Sequence, residues 1–192
     1  MKKRSAFLAP ALLASGLFFS TASLGATWFG ESADGRWLVG LKGGQVQTDT
    51  RGYDDTDNWG LTLGYEFSRP IDGTGSASIE FDYLNTTGSG DIKSSSEFGL
   101  DGEWDMDAYG LYFAYRTPGT VFFKGKLGLL NSKIRSDFGT ANRSDSDTNF
   151  AYGAGLGVRL GMEENINIEL DWVGNSGDND LSFINLGVML LF

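Results

Sequence analysis

Two carboxylate pairs, Glu80/Asp82 and Glu169/Asp171, and one cationic pair, Lys124/Lys126, are each spaced two residues apart. On a strand that spacing puts both members of a pair on one face. Such pairs can do acid–base work, or they can neutralise one another in an ion-pair network. The network is the stronger expectation, because Lys42, Lys124, Lys126 and Arg159 fall on the same parity as the carboxylates, and structural ion pairs perturb carboxylates without doing chemistry. The chain has no histidine and no cysteine. The usual general base, the Ser–His and Cys–His pairs and the commonest transition-metal ligand are therefore missing. The prediction is a non-enzyme with no catalytic residue, no cofactor and no metal centre.

Two further motifs lose their chemistry on inspection. Gly153, Gly155 and Gly157 suggest a dinucleotide loop, but the G-x-G-x-x-G spacing is incomplete and no helix follows. Shared parity predicts instead that they make room for bulky side chains across an interior. The run from Asp145 through Asp147 to Asn149 begins like a calcium loop, yet Phe150 stands where glycine is needed and no glutamate closes it.

The elements that must position the charges are strands. Glycine is abundant at 28 residues and proline scarce at 3, which suits a strand-rich wall with tight turns better than a helical core. Eight alternating segments are predicted at about 36–47, 58–67, 76–85, 104–116, 121–131, 150–160, 165–173 and 182–192. Short turns are expected at 68–75, 117–120 and 161–164. Longer polar loops are expected at 48–57, 86–103 and 132–149, with a shorter one at 174–181. An even strand count, apolar outer faces and alternating short and long connections predict an all-β, eight-stranded antiparallel up-and-down transmembrane β-barrel.

Aromatic residues sort to the two rims, as headgroup-seeking indole and phenol rings should. Trp59, Tyr83, Trp104, Tyr152 and Trp172 are assigned to the external ring, and Trp37, Tyr65, Phe67, Tyr115, Phe123 and Phe192 to the periplasmic ring. The opposite parity gives a lumen charge network of Lys42, Glu66, Glu80, Asp82, Lys124, Lys126, Arg159, Glu169 and Asp171, accompanied by Tyr112 and Asn167. In a narrow eight-stranded interior these groups should pair and leave a plugged, hydrophilic cylinder.

Both ends of the chain point to export. Lys2, Lys3 and Arg4 precede an apolar run and a small-residue site before Thr27, which predicts a signal peptide over 1–26 and a barrel domain over 27–192. Losing the three cations with that segment takes the net charge from −10 to −13, which argues against a nucleic-acid partner. At the other end, Asn185, Gly187, Leu190 and Phe192 resemble the C-terminal signal of bacterial outer-membrane proteins, which implies the outer-membrane assembly machinery as a partner.

Residues 37–44, 78–83, 153–161 and 165–172 are similar to the first strand, third strand and last hairpin of the OmpA/OmpX class of small outer-membrane barrels, and the resemblance covers the barrel domain only. It implies residence in outer-membrane lipid and lipopolysaccharide, a Gram-negative cell envelope, and a salt-bridge cluster that includes Lys42, Glu80, Lys126 and Arg159. Where that class has an acid in the lumen this chain has Arg159, and where it has a lysine this chain has Tyr112, so pairing should be rewired around Glu169 and Asp171. The function implied is envelope integrity, with surface interaction through the acidic external loops. A small channel and a host-surface adhesin are the alternatives, and the extracellular ligand is left open. The loops hold Asp49, Asp54, Asp55, Asp57, Asp91, Glu97, Asp101, Glu103, Asp105, Asp178 and Asp180 against Arg51 and Lys93. They are either simply solvated or bridged by divalent cations to lipopolysaccharide phosphates.

Overall fold

The computed structural model describes residues 35–48, 52–67, 75–93, 101–138, 142–161, 164–177 and 181–192. The signal-peptide segment lies outside the described residues, as do Asp49, Arg51, Glu97, Asp178 and Asp180.

Period-2 alternation builds nine strands: β1 (Arg36–Thr48), β2 (Thr56–Glu66), β3 (Ser76–Thr86), β4 (Gly90–Ile92), β5 (Gly102–Arg116), β6 (Val121–Asp137), β7 (Asn142–Leu160), β8 (Ile166–Asn175) and β9 (Leu181–Leu191). All except β4 belong to the wall. Neighbours run β3-β2-β1-β9-β8-β7-β6-β5, and β5 returns to pair with β3, so the sheet closes on itself. The structure is an eight-stranded antiparallel barrel.

The stagger of the wall can be read from the registers. A row of cross-strand partners runs from Thr86 through Asn58, Gly44, Asn185, Asp171, Gly155, Lys124 and Arg116 to Ser76, and so returns to β3 ten residues below its start. Eight strands with that stagger enclose an interior that side chains fill. Burial alternates along the strands accordingly. In β9, Phe183, Asn185, Met189 and Leu191 point inward while Ile184, Leu186, Val188 and Leu190 face out, and Phe192 just beyond the strand is exposed. The final residue is tied to the first strand, since the Trp37 and Phe192 backbones exchange hydrogen bonds of 2.9 and 3.0 Å.

The end with the connections 117–120 and 161–165 is the periplasmic one by the short-turn rule. Gly119 and Gly161 adopt φ of 105° and 90° there, a region that disfavours side chains. At the other end the expected loop at 132–149 is mostly strand, because β6 and β7 stay paired out to Asp137↔Asn142. Apart from Ile134, which packs against the buried interior, both faces of that ribbon are polar, so the hydropathy alternation fades while the backbone ladder continues. The loop expected at 86–103 likewise contains a strand, β4, which pairs with the start of β5.

Candidate functional site

Inward-facing residues of five strands meet in the barrel to form one ion-pair network. Lys42 Nζ lies 2.6 Å from Asp82 Oδ2, and Lys126 Nζ lies 3.2 Å from the same oxygen. Lys126 also reaches Asp171 at 3.6 Å, and Lys124 reaches Asp171 at 3.3 Å, Glu169 at 2.7 Å and Glu80 at 2.9 Å. Arg116 closes the chain on Glu80 at 2.7 Å and Glu169 at 2.8 Å. Hydroxyls occupy remaining lone pairs, with Thr62 donating to Asp82 at 2.7 Å and Ser78 to Glu80 at 2.9 Å. The members Lys42, Arg116, Lys124 and Lys126 balance Glu80, Asp82, Glu169 and Asp171, and all eight are buried. Burying so many charges is tolerable only because each is paired and hydrogen-bonded. Tyr112, in the position the resemblance gives to a lysine, lays its ring 4.6 Å from Lys126 Nζ.

Arg116 closes one end of this network on Glu80 and Glu169, and the sequence reading omitted it. The signal was available: the parity that sends Tyr112 inward also sends Arg116 inward. Arg159, expected in the cluster, is not part of it. Its guanidinium sits at the periplasmic end, stacks 4.5 Å from the Phe122 ring, and donates to the Thr117 and Gly119 carbonyls of the neighbouring turn. The β-turn presents bare carbonyls to a planar donor, which satisfies the arginine without a central carboxylate. Glu66 is also peripheral, pairing with Arg36 at 2.6 Å and accepting from Ser76 at 2.9 Å. Asn167 donates to Glu169 at 3.4 Å.

The glycine run has the spatial role its parity suggested. A Cβ on Gly157 would overlap the Phe122 ring, and one on Gly155 would overlap the Asp171 carboxylate.

The external half of the lumen corrects the expectation of a hydrophilic interior throughout. Val46, Leu84, Met106, Leu130, Val173 and Phe183 pack there with Trp104 into one buried apolar cluster. Trp104, assigned to the external belt, is 1% exposed and points inward, on the parity it shares with Tyr112. Its indole N–H donates to the Asp54 carbonyl at 3.1 Å, and its ring meets Tyr53 edge-on at 6.0 Å. Residues 52–54 lie beside β4, where Tyr53 bridges to Ile92, Asp54 N donates to Asp91 O, and Lys93 pairs with Asp54 at 2.6 Å. The first two external connections thus interlock as a cap over the apolar cluster.

The remaining belt residues lie on the outer wall. Trp59 meets Tyr83 edge-on at 5.8 Å and Tyr152 meets Trp172 at 5.7 Å on the external rim, while Trp37 meets Tyr65 at 5.3 Å on the periplasmic rim. Above Tyr83 and Tyr109, the outward Arg135 joins Asp105 at 2.7 Å and also contacts Asp107. Partial burial would raise the Asp107 carboxyl, but hydrogen bonds from Arg135 and Asn85 outweigh it and hold the group below its ordinary value. The segment from Asp145 to Asn149 is extended strand, not a loop.

The model of the outer membrane protein beta-barrel domain family matches residues 10–192. Among solved structures, the chain is similar to Ail, the attachment invasion locus protein of Yersinia pestis, with a TM-score of 0.54, 20% identity, and coverage of 82% of this chain and 97% of that one. It is also similar to the N-terminal β-barrel domain of Pseudomonas aeruginosa OprF, with a TM-score of 0.51, 17% identity, and coverage of 82% and 99%. Neisserial surface protein A matches with a TM-score of 0.52, 12% identity, and coverage of 84% and 99%. No curated protein matches the sequence.

Proposed function

The chain belongs to the outer membrane β-barrel domain family, and from that premise we propose that it is a closed, non-catalytic barrel that supports the outer membrane and interacts through its external end. One observation carries this reading: the lumen holds two stacked plugs, a charge-neutral ion-pair network and, external to it, an apolar cluster under a cap. Neither plug resembles a conduit. Ions meet buried groups already paired, and apolar molecules meet a packed core. Against catalysis stand the missing histidine and the engagement of the buried carboxylates with cations.

The partners that fit are outer-membrane lipid against the apolar band, lipopolysaccharide at the level of Asp105, Asp107 and Arg135, and the assembly machinery at Asn185, Gly187, Leu190 and Phe192. Divalent cations suit the acidic outer surface as loose bridges to lipopolysaccharide phosphates. The adhesin reading draws on the projecting β6–β7 ribbon. Ail has been solved in complex with the heparin analogue sucrose octasulfate. Asp54, Asp55, Asp57, Asp91, Asp101 and Glu103 make the same polyanion a poor fit for this chain.

The test is conductance of the refolded chain in planar bilayers, after a heat-dependent gel shift has established folding. The expected result is a silent bilayer. Stable conductance steps that change when Lys42 or Glu169 is substituted would replace this reading with the channel.

A further inference from the structure

At the periplasmic mouth, Arg36, Glu66, Ser76, Gly119, Arg159 and Glu164 line a cavity of about 80 Å³. Its four charges form two layers. Arg159 and Glu66 lie deep, with side chains 6% and 5% exposed. Both are fixed, Arg159 by the Thr117 carbonyl and the Phe122 ring, Glu66 by the Ser76 hydroxyl. Arg36 and Glu164 form the outer layer, 30% and 39% exposed. Each outer group stands at an inner group of opposite sign: Arg36 Nη2 is 2.6 Å from Glu66 Oε1, and Glu164 Oε2 is 4.0 Å from Arg159 Nε. Arg36 Nη1 also donates to the Glu164 carbonyl at 3.4 Å, which ties the outer pair together.

Glu164 is held there at a backbone cost. Its φ of 53° is the one positive value among the described non-glycine residues, and that left-handed region favours glycine. Its amide donates to the Gly161 carbonyl at 3.3 Å. A glycine would close the same turn without strain, and what glycine lacks is the carboxylate.

From this layering we infer that the periplasmic mouth binds a small free α-amino acid as its zwitterion. One such molecule carries both outer charges. Its carboxylate takes the place of Glu164 at Arg159 Nε, and its ammonium takes the place of Arg36 at Glu66 Oε1. The exchange leaves the site neutral, with both inner charges still compensated. A lone anion fills only the first place and faces the carboxylate it displaced, and a lone cation likewise faces the displaced guanidinium. The cavity has room for about two or three waters at roughly 30 Å³ each, which suits glycine or alanine and not a branched side chain. It lies below the ion-pair network, so its occupancy does not depend on whether the lumen conducts.

The test uses the refolded chain in nanodiscs, titrated separately with glycine, alanine, leucine, acetate and methylammonium. Binding is read from the amide resonances of Gly75, Gly119 and Glu164 and from the Arg159 Nε–H. Glycine and alanine are expected to bind about fivefold more tightly than acetate or methylammonium, the upper scale of one exposed charge pair, and more tightly than leucine. Two outer-layer variants separate recognition from a structural role, each first shown to keep the folded gel mobility. Glu164→Gln should shift the order towards acetate, and Arg36→Gln towards methylammonium, whereas loss of a merely structural contact would weaken all five alike. Acetate or methylammonium binding as tightly as alanine, leucine matching alanine, shifts confined to residues away from the mouth, no shift with any of the five, or an order unmoved by both variants would each overturn the proposal.

Discussion

Arg116 and Arg159 are both buried arginines of the lumen, and the difference between them is what each leaves behind. Removing Arg116 strands Glu80 and Glu169 with fewer cations in a dry interior, so Arg116→Ala should cost about 3–5 kcal/mol of stability, the range for breaking a buried pair by deleting one partner. Arg159→Ala leaves turn carbonyls that solvent can reach and should cost about 1–2 kcal/mol. Urea unfolding of the refolded variants, followed by tryptophan fluorescence, orders the two; an equal or reversed order would mean that Glu80 and Glu169 do not depend on Arg116 for compensation. Trp104 offers a second residue-level test, because indoles on the belts touch lipid and this one does not. With single-tryptophan variants in bilayers of brominated lipid, Trp59 and Trp172 should be strongly quenched and Trp104 scarcely at all. The pairs Glu80/Asp82, Lys124/Lys126 and Glu169/Asp171 were legible because a spacing of two survives any uncertainty in strand ends. Which cation joined which acid was not, since pairing depends on the stagger of the barrel, and stagger is a property of all eight wall strands together.

The spanning segments were legible from sequence wherever one face meets lipid, because lipid forces a strict apolar alternation. The β6–β7 ribbon above the membrane was not, as water and polar side chains accept either parity. Its lower part is nonetheless held by Arg135, Asp105 and Asp107 on the outer face. The Asp107 carboxyl lies below its ordinary value in the folded chain, so its contribution is present above the unfolded value and fades as pH falls through the folded one. Arg135 and Asp105 are substantially solvent-exposed although Asp107 is partly buried, and screening at the arginine limits the effect to about 1 kcal/mol or less. Amide exchange over 131–137 should therefore quicken below the ordinary aspartate range, while the membrane-level part of β6 stays protected. Equal quickening along the whole strand would mean that the ion pair does not anchor the ribbon. At the other end of the wall, Phe192 seals β9 against β1 through the Trp37 backbone, and the pattern before it is the assembly signal proposed above. Deleting Phe192 should depress insertion by the assembly machinery far more than spontaneous refolding in detergent, as compared by the folded fraction on heat-shift gels.

Taken whole, the molecule has two kinds of charge that ought to answer differently to salt. The lumen network lies in a packed interior, and its strength comes from a low local dielectric. The external pairs, Lys93 with Asp54 and Arg135 with Asp105, are substantially solvent-exposed on both sides. At 1 M salt the screening length falls to about 3 Å, so exposed pairs should be largely neutralised while buried ones persist. Raising salt should accordingly speed amide exchange in the cap and the ribbon by several-fold, near the upper end of what such pairs contribute, and leave the urea midpoint of the barrel almost unchanged. The two readouts separate the proposed division of labour between a shut, salt-indifferent wall and an adaptable external surface. If the urea midpoint fell together with cap protection, the cap would be part of what holds the barrel closed, and the silent lumen expected in planar bilayers would have to be tested again at high salt.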